Sequence, residues 1–287
     1  MWLLLAILSA LFAGLTAILA KVGLKNIDST VATALRTIVV LVFAWLIVFI
    51  TGTTGTIVDI DSKGWLFLIL SGLATGASWL CYFKALQIGN VNKVVPVDKS
   101  STVITIILAA ILLGEWLSIP GIIGTVLIGI GTLLMIEKKD VDSVNETKTS
   151  WLFFALGSAV FAALTSILGK VGMEGIDSNL GTAIRTVVVL IMSWVMVFVM
   201  KKSVSLKSLS RKDTIFLILS GLATGGSWLC FFRALQEGPA SVIVPIDKLS
   251  ILVTIVFSYI VFKEKLSKKA AIGLAGIIAG TLLLLVK

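Results

Sequence analysis

The sequence predicts an all-α membrane protein with ten transmembrane helices, arranged as two five-helix repeats of opposite direction. Three observations carry that reading. Of the 287 residues, 58% are hydrophobic and 14% charged, with a mean hydropathy of +1.10, whereas a soluble domain has about a quarter of its residues charged. Apolar runs of about 20 residues, each able to cross about 30 Å of hydrocarbon, recur along the whole chain. Finally, residue i placed beside residue i+149 aligns the two halves without a gap, and roughly half of the paired positions in residues 2–50 are identical.

The ten runs fall near 2–21, 30–50, 64–84, 91–113 and 117–136, then near 151–170, 179–200, 213–234, 240–262 and 268–286. The first has no basic residue before its apolar stretch and Lys21 and Lys25 after it, so it reads as a retained helix, not a signal peptide. The stretch 137–150 (EKKDVDSVNETKTS) is the solvated joint, which gives a first repeat over 1–139, a linker over 140–149 and a second repeat over 150–287. No segment has the length and polarity of an extramembrane domain.

The duplication is most literal in the third helix of each half. FLILSGLATG occupies Phe67–Gly76 and Phe216–Gly225, followed by SWLC at Ser78–Cys81 and Ser227–Cys230. Five spans per copy is an odd number, so the second copy must lie inverted relative to the first. Loop charge agrees: TGTTGTIVDIDSKG holds one Lys where its counterpart MKKSVSLKSLSRKD holds five basic residues, and GEWLSIPG holds none where KEKLSKKA holds four. Of the 24 Lys and Arg, four (Lys63, Lys170, Arg233, Lys287) fall on the face of the termini, sixteen on the opposite face, and four inside helices. The positive-inside rule makes the sixteen-residue face cytoplasmic and puts both termini outside a cytoplasmic membrane. The net charge of +9 therefore reports topology and implies no nucleic-acid partner.

Six ionisable residues fall inside helices: Arg36, Asp98 and Lys99 in the first copy, and Arg185, Asp247 and Lys248 in the second. Each costs about 2.5–3.5 kcal/mol at a helix centre, so they must face the bundle interior or a wet cavity. In the second copy Pro245 removes one backbone hydrogen bond and frees the Ser241 carbonyl beside Asp247, the kind of broken helix found at membrane binding sites. Pairing of Arg36 with Asp98, and of Arg185 with Asp247, would leave Lys99 and Lys248 as surplus charges. The cavity then carries about +2, which suits a carboxylate or phosphate group on a small-molecule ligand. The alternative is an Arg36–Asp98 pair that only locks two helices together. Ser78, Trp79 and Tyr82, with Ser227, Trp228 and Phe231 at the matching positions, are candidates for the rest of the site, while the indole rings could equally be interfacial anchors.

Other features read as structural. The glycines of the fifth and tenth helices (Gly121, Gly124, Gly129, Gly131; Gly273, Gly276, Gly280) are at packing spacing. Cys81 and Cys230 read as two separate buried thiols, and Glu115 and Glu264 as solvated helix ends. There is no His, no metal-ligand cluster and no GxxxxGK[ST] loop, so no cofactor is implied and ATP is not expected to supply energy.

With these motifs in place, the chain resembles the drug/metabolite transporter superfamily, in particular its EamA-type members. The matching elements are VVPVDKSSTVITIILAAILLGEWLS and IVPIDKLSILVTIVFSYIVFKEKLS in the fourth helix of each half, the Gly-rich fifth helices, and the ALQxG endings at Ala85–Gly89 and Ala234–Gly238. The resemblance covers essentially the whole chain. It implies alternating-access transport of small metabolites by a secondary transporter, with a coupling ion and a single chain functioning as a monomer. The superfamily's small multidrug and guanidinium members use a Glu in their first helix, whereas residues 2–20 here contain no acid. Asp98 and Asp247 are then the buried acids available to a coupling proton. Two other functions compete: a flippase for an anionic membrane lipid, and an intramembrane enzyme using Asp98 and Asp247. Against the latter, inversion is expected to hold the two Asp near opposite leaflets, too far apart to act as a dyad.

Overall fold

The computed structural model describes residues 1–23, 27–88, 91–135, 150–202, 210–263 and 266–286. The 140–149 linker and Glu264 lie outside the described residues. Helices run in chain order as α1 (Trp2–Gly23), α2 (Ser29–Thr51), α3 (Ser62–Ile88), α4 (Val91–Lys99), α5 (Ser101–Leu113), α6 (Ile119–Leu134), α7 (Ser150–Gly172), α8 (Ser178–Val199), α9 (Arg211–Glu237), α10 (Ala240–Lys248), α11 (Ser250–Phe262) and α12 (Lys268–Leu283). A 3₁₀ turn at Thr53–Asp59 follows α2. The described residues contain no strand, and seven stretches among them are long and apolar enough to span a membrane.

Helix starts are set by the same chemistry in both halves. Asp28 caps α2 by accepting from the N–H groups of Thr30 and Val31, and Asp177 caps α8 by accepting from those of Asn179 and Leu180. Ser118 and Ser267 do the same for α6 and α12. The helix ends differ more. Gly52 and Gly114 close α2 and α5 in the left-handed region at φ 69° and 68°, where a glycine pays no steric penalty. Their counterparts, Lys201 and Lys263, adopt φ of 50° and 56°, at a cost of about 1–2 kcal/mol for a residue with a Cβ.

The fourth apolar run of each half is two helices. The α-ladder slips to an i→i−3 bond where Ser100 donates to the Val97 carbonyl (3.2 Å) and where Leu249 donates to that of Ile246 (2.9 Å). Both interruptions directly follow the Asp-Lys pair. In the second copy the break is therefore at Leu249, and Pro245 itself sits inside α10.

The main helix contacts are α3 with α7, α1 with α9, α6 with α12 and α2 with α8, a pattern that exchange of the two halves leaves unchanged. α6 and α12 are antiparallel and touch through backbone. A Cβ added at Gly124 would lie 2.5 Å from the Gly280 carbonyl oxygen, and one at Gly131 would lie 2.5 Å from that of Gly273. Gly72 packs on Val188 and the Arg185 carbonyl, just as Gly221 packs on Val39 and the Arg36 carbonyl. One apolar core, including Leu68, Ile106, Ile128, Ile184, Phe232 and Ile243, runs through both halves. The lipid-sized outer face is also apolar, with Phe49, Phe153, Phe198 and Ile272 exposed.

The ends of the bundle are tied by polar contacts. At the end that carries both termini, Lys63 pairs with Glu174 (3.0 Å) and Ser118 donates to the Val286 carbonyl (3.0 Å). At the other end Lys202 pairs with Asp28 (2.8 Å).

Because the backbones of α6 and α12 already touch, Gly131→Ala is expected to destabilise the protein by about 1–3 kcal/mol through overpacking. Gly129→Ala, whose added carbon meets its first neighbour at 3.5 Å, should be neutral or slightly stabilising. Melting of the two variants in the same detergent checks this.

Candidate functional site

The most constrained charge in the molecule is Arg185, on α8 and 1% exposed. Its Nε–H donates to Ser71 Oγ (3.3 Å) and its Nη2 to Thr75 Oγ1 (2.7 Å), both on α3. Ser71 and Thr75 are themselves fixed, with Ser71 donating to the Thr165 carbonyl and Thr75 to that of Ser71. The guanidinium carbon lies 4.2 Å from the Phe232 ring centre and 5.2 Å from that of Trp228. Aromatic faces and hydroxyls thus do the work of a counter-ion. Nη1 is buried with no hydrogen-bond partner, an arrangement that leaves two N–H donors to be satisfied by something else.

The expected Arg–Asp pairs do not form among the described residues. Asp247 instead accepts from Ser9 on α1 (2.6 Å), and Ser9 contacts Ser227 on α9 (3.2 Å). Asp98 accepts from Ser158 on α7 (2.6 Å), and Ser78 on α3 donates to the Ser158 carbonyl (3.0 Å). Each carboxylate is therefore held by the opposite half. The physical reason is register: the helix that packs beside each Asp-Lys break is the first helix of the other half, and it presents a small hydroxyl there. Lys248 Nζ lies 4.0 Å from Asp247 Oδ2, a weak contact that leaves Lys248 open to the cavity.

Two adjoining cavities collect most of the expected residues. One, of about 280 Å³, is lined by Arg185, Ser78, Trp79, Ser227, Trp228 and Phe231, with Asp247 and Lys248 at its edge. The other, of about 400 Å³, is lined by Lys99, Asp247 and Lys248 and by residues of α1, α6, α11 and α12, as far as Met135. Among the described residues they are lined by three cations, Arg185, Lys99 and Lys248, against one carboxylate, Asp247. Lys99 and Lys248 line the same cavity, and Lys99 interacts electrostatically with Lys248, Asp98 and Asp247, so the two Asp-Lys pairs meet in one region of the bundle. The breaks between α4 and α5 and between α10 and α11 both fall there. Arg36 lines neither cavity. Tyr82 sits beside Asp98 and packs on the Ala85, Val94 and Ala155 cluster outside the cavities. Both cysteines are free thiols.

The sequence reading missed Ser9, Ser158, Ser71 and Thr75. Ser9 and Ser158 are 149 positions apart in otherwise apolar helices, a signal that was present. It also misjudged Glu115. That side chain is 14% exposed, pairs with Lys170 (3.0 Å), and accepts from the N–H groups of Ala240 (2.9 Å) and Ser241 (2.8 Å). Lys170 also donates to the Gly238 carbonyl. The first half thereby caps α10 of the second, at the end of the bundle that carries the termini. Burial alone would raise the Glu115 pKa, but the Ser241 and Ala240 N–H groups and Lys170 outweigh it and hold it below the ordinary carboxylate value.

Comparison with known proteins agrees with this architecture. The EamA-like transporter family matches residues 1–137 and again 149–286. The chain belongs to that family. It is similar to an "Uncharacterized transporter in cobO 3'region" of Sinorhizobium sp., at 47% identity over 134 residues that cover 47% of this chain and 95% of that protein. A second relative, an "Uncharacterized transporter" of Archaeoglobus fulgidus, is 24% identical over 268 residues, 92% of this chain and 90% of its own. A solved crystal structure superposes with a TM-score of 0.79 at 15% identity, covering 98% of this chain and 94% of that one, which establishes the likeness of fold. Family and relatives alike point to a membrane transporter.

The lowered pKa of Glu115 fixes the sign of its contribution: it is complete above the ordinary carboxylate value of 4.5 and is lost as pH falls through the lower folded value. Glu115→Gln should cost about 1–2 kcal/mol at neutral pH, because one charge-assisted cap is removed. The gap between the variant and the parent protein should close below that carboxylate range in a melting series.

Proposed function

We propose that this EamA-family protein is a secondary active transporter that moves a small metabolite with an anionic group across the cytoplasmic membrane by alternating access. The observation that carries the reading is Arg185: a guanidinium buried without an acidic partner, with two unsatisfied N–H donors, in a cavity that also holds Lys248 and adjoins a second one lined by Lys99 and Lys248. A carboxylate or phosphate would satisfy those donors, and the Ser78 and Ser227 hydroxyls and the Trp79 and Trp228 rings would orient the rest of the ligand.

The transmembrane arrangement is ten crossings in two inverted repeats. It is supported by the antiparallel meeting of the equivalent helices α6 and α12, and by end contacts that join only loops assigned to one side. The left-handed Lys201 and Lys263 support the orientation, since a strained lysine replaces an unstrained glycine only on the face read as cytoplasmic. In the state described here, the Glu115–Lys170–α10 contact seals the extracytoplasmic end, while the larger cavity extends toward Met135 at the cytoplasmic end. Transport then requires that seal to open and an equivalent one to form at the other face.

The experiment is a ligand-stabilisation screen with anionic, zwitterionic and cationic metabolites. Carboxylates or phosphates should raise the melting temperature, and Arg185→Ala should weaken their binding about 10–100-fold, as expected for loss of a charge-assisted contact, while the protein stays folded. Stabilisation by cations alone would contradict the reading. Silence from every soluble compound would favour the anionic-lipid flippase.

A further inference from the structure

The two central cavities differ in chemistry, and that difference narrows the class of substrate. The smaller holds Arg185 with its unpartnered Nη1, four aromatic rings (Trp79, Trp228, Phe231, Phe232) and several hydroxyls. The larger extends from Lys99, Asp247 and Lys248 along a wall of aliphatic side chains, Ala17, Val95, Ile128, Ile251 and Ile277, to Met135. It contains no aromatic residue among its described lining, and its hydroxyls are only those of Thr102, Thr132, Ser250 and Thr254. Thr254 donates to the Ser250 carbonyl of its own helix and Thr132 to that of Ile128, so both present mainly a methyl group. The cavities share Ala13, Asp247 and Lys248, so one ligand can occupy both.

From this we infer that the substrate is an amphipathic organic anion. Its carboxylate or phosphate head lies in the smaller cavity against Arg185 Nη1, and an unbranched or branched aliphatic portion fills the larger one. The inference rests on the anion-transport reading and adds the apolar part of the ligand. Three physical points favour it. A hydrophilic metabolite would leave the aliphatic wall unused, whereas buried hydrocarbon gains affinity from each carbon. Arg185 lines only the smaller cavity and the aliphatic wall only the larger, with Asp247 and Lys248 shared between them, which gives the ligand a direction. The combined size is within the roughly 300–1,000 Å³ range of sites for small organic ligands.

The test uses the full-length protein in detergent and four straight-chain carboxylates (acetate, butanoate, hexanoate and octanoate), with the alkyl phosphates and alkylamines of the same lengths as further arms. Binding is read from quenching of tryptophan fluorescence. Affinity for the anions should rise about fourfold per added methylene, which is the ~0.8 kcal/mol of each buried CH₂, and the alkylamines should not compete. The relative strength of the carboxylates and phosphates identifies the head. Thr132→Phe, which fills the aliphatic cavity, should flatten the dependence on length. Thr254→Phe serves the same purpose should the first variant fold poorly.

Length-independent binding of the anions would overturn the amphipathic inference and leave the anion reading standing. A length dependence that survives in both filled variants would also overturn it, since the hydrocarbon would then be bound elsewhere or in the micelle. Failure of every carboxylate and phosphate, short or long, would instead sink the anion reading itself.

Discussion

The structure is organised by the need to keep ionisable groups inside a bundle whose exterior is hydrocarbon. Arg185 sets the terms. A buried guanidinium is most simply neutralised by a carboxylate, yet here it is held by Ser71, Thr75 and two aromatic rings. That choice leaves Asp247 free to be bound by Ser9, as Asp98 is bound by Ser158. It also leaves the lysines beside them facing open space. The helices break just past those Asp-Lys pairs, where α4 gives way to α5 and α10 to α11, and residues on both sides of each break line the larger cavity. A cation without a protein anion is costly unless water or a ligand reaches it, so the same arrangement that strains the fold defines where a ligand is useful.

Duplication supplies the scaffold for this. The two halves use the same caps, Asp28 with Asp177 and Ser118 with Ser267, and the same small-residue contacts, so that α2 and α6 meet their own counterparts while α1 meets α9 and α3 meets α7. What differs between the halves is informative for that reason. Glycine at the left-handed ends of one half becomes lysine in the other, and the loops gain charge in the same places. Those substitutions add positive charge where the first half has glycine. Glu115 and Lys170 add a second cross-half contact at the opposite end, tying the start of α10 to the end of α5.

Much of this was legible in the sequence, and the pattern of what was not is instructive. The apolar runs located the helical stretches among the described residues, because a segment's length in lipid is a one-dimensional property, but they did not show that the fourth run of each half is two helices. The intramembrane charges were found for the same reason: six charged letters in apolar text cannot be missed. Their partners were not found. Arg–Asp pairing within a half is the obvious solution by charge, but which helix lies beside which is decided by packing between halves. Ser9 and Ser158 looked like ordinary small residues until α1 was placed against α9 and α7 against α3. Glu115 was misjudged because loop position implies solvent, whereas the N-terminus of α10 lies directly over it. The central meeting of the two Asp-Lys pairs was likewise hidden, since inversion alone does not say how deep each broken helix reaches.

The most direct test of the account is an experimental structure of the protein with a transported anion bound. The account predicts the anionic group about 2.7–3.2 Å from Arg185 Nη1, with the rest of the molecule running past Asp247 and Lys248. A ligand whose charged group is held elsewhere, with Nη1 still unpartnered, would contradict it.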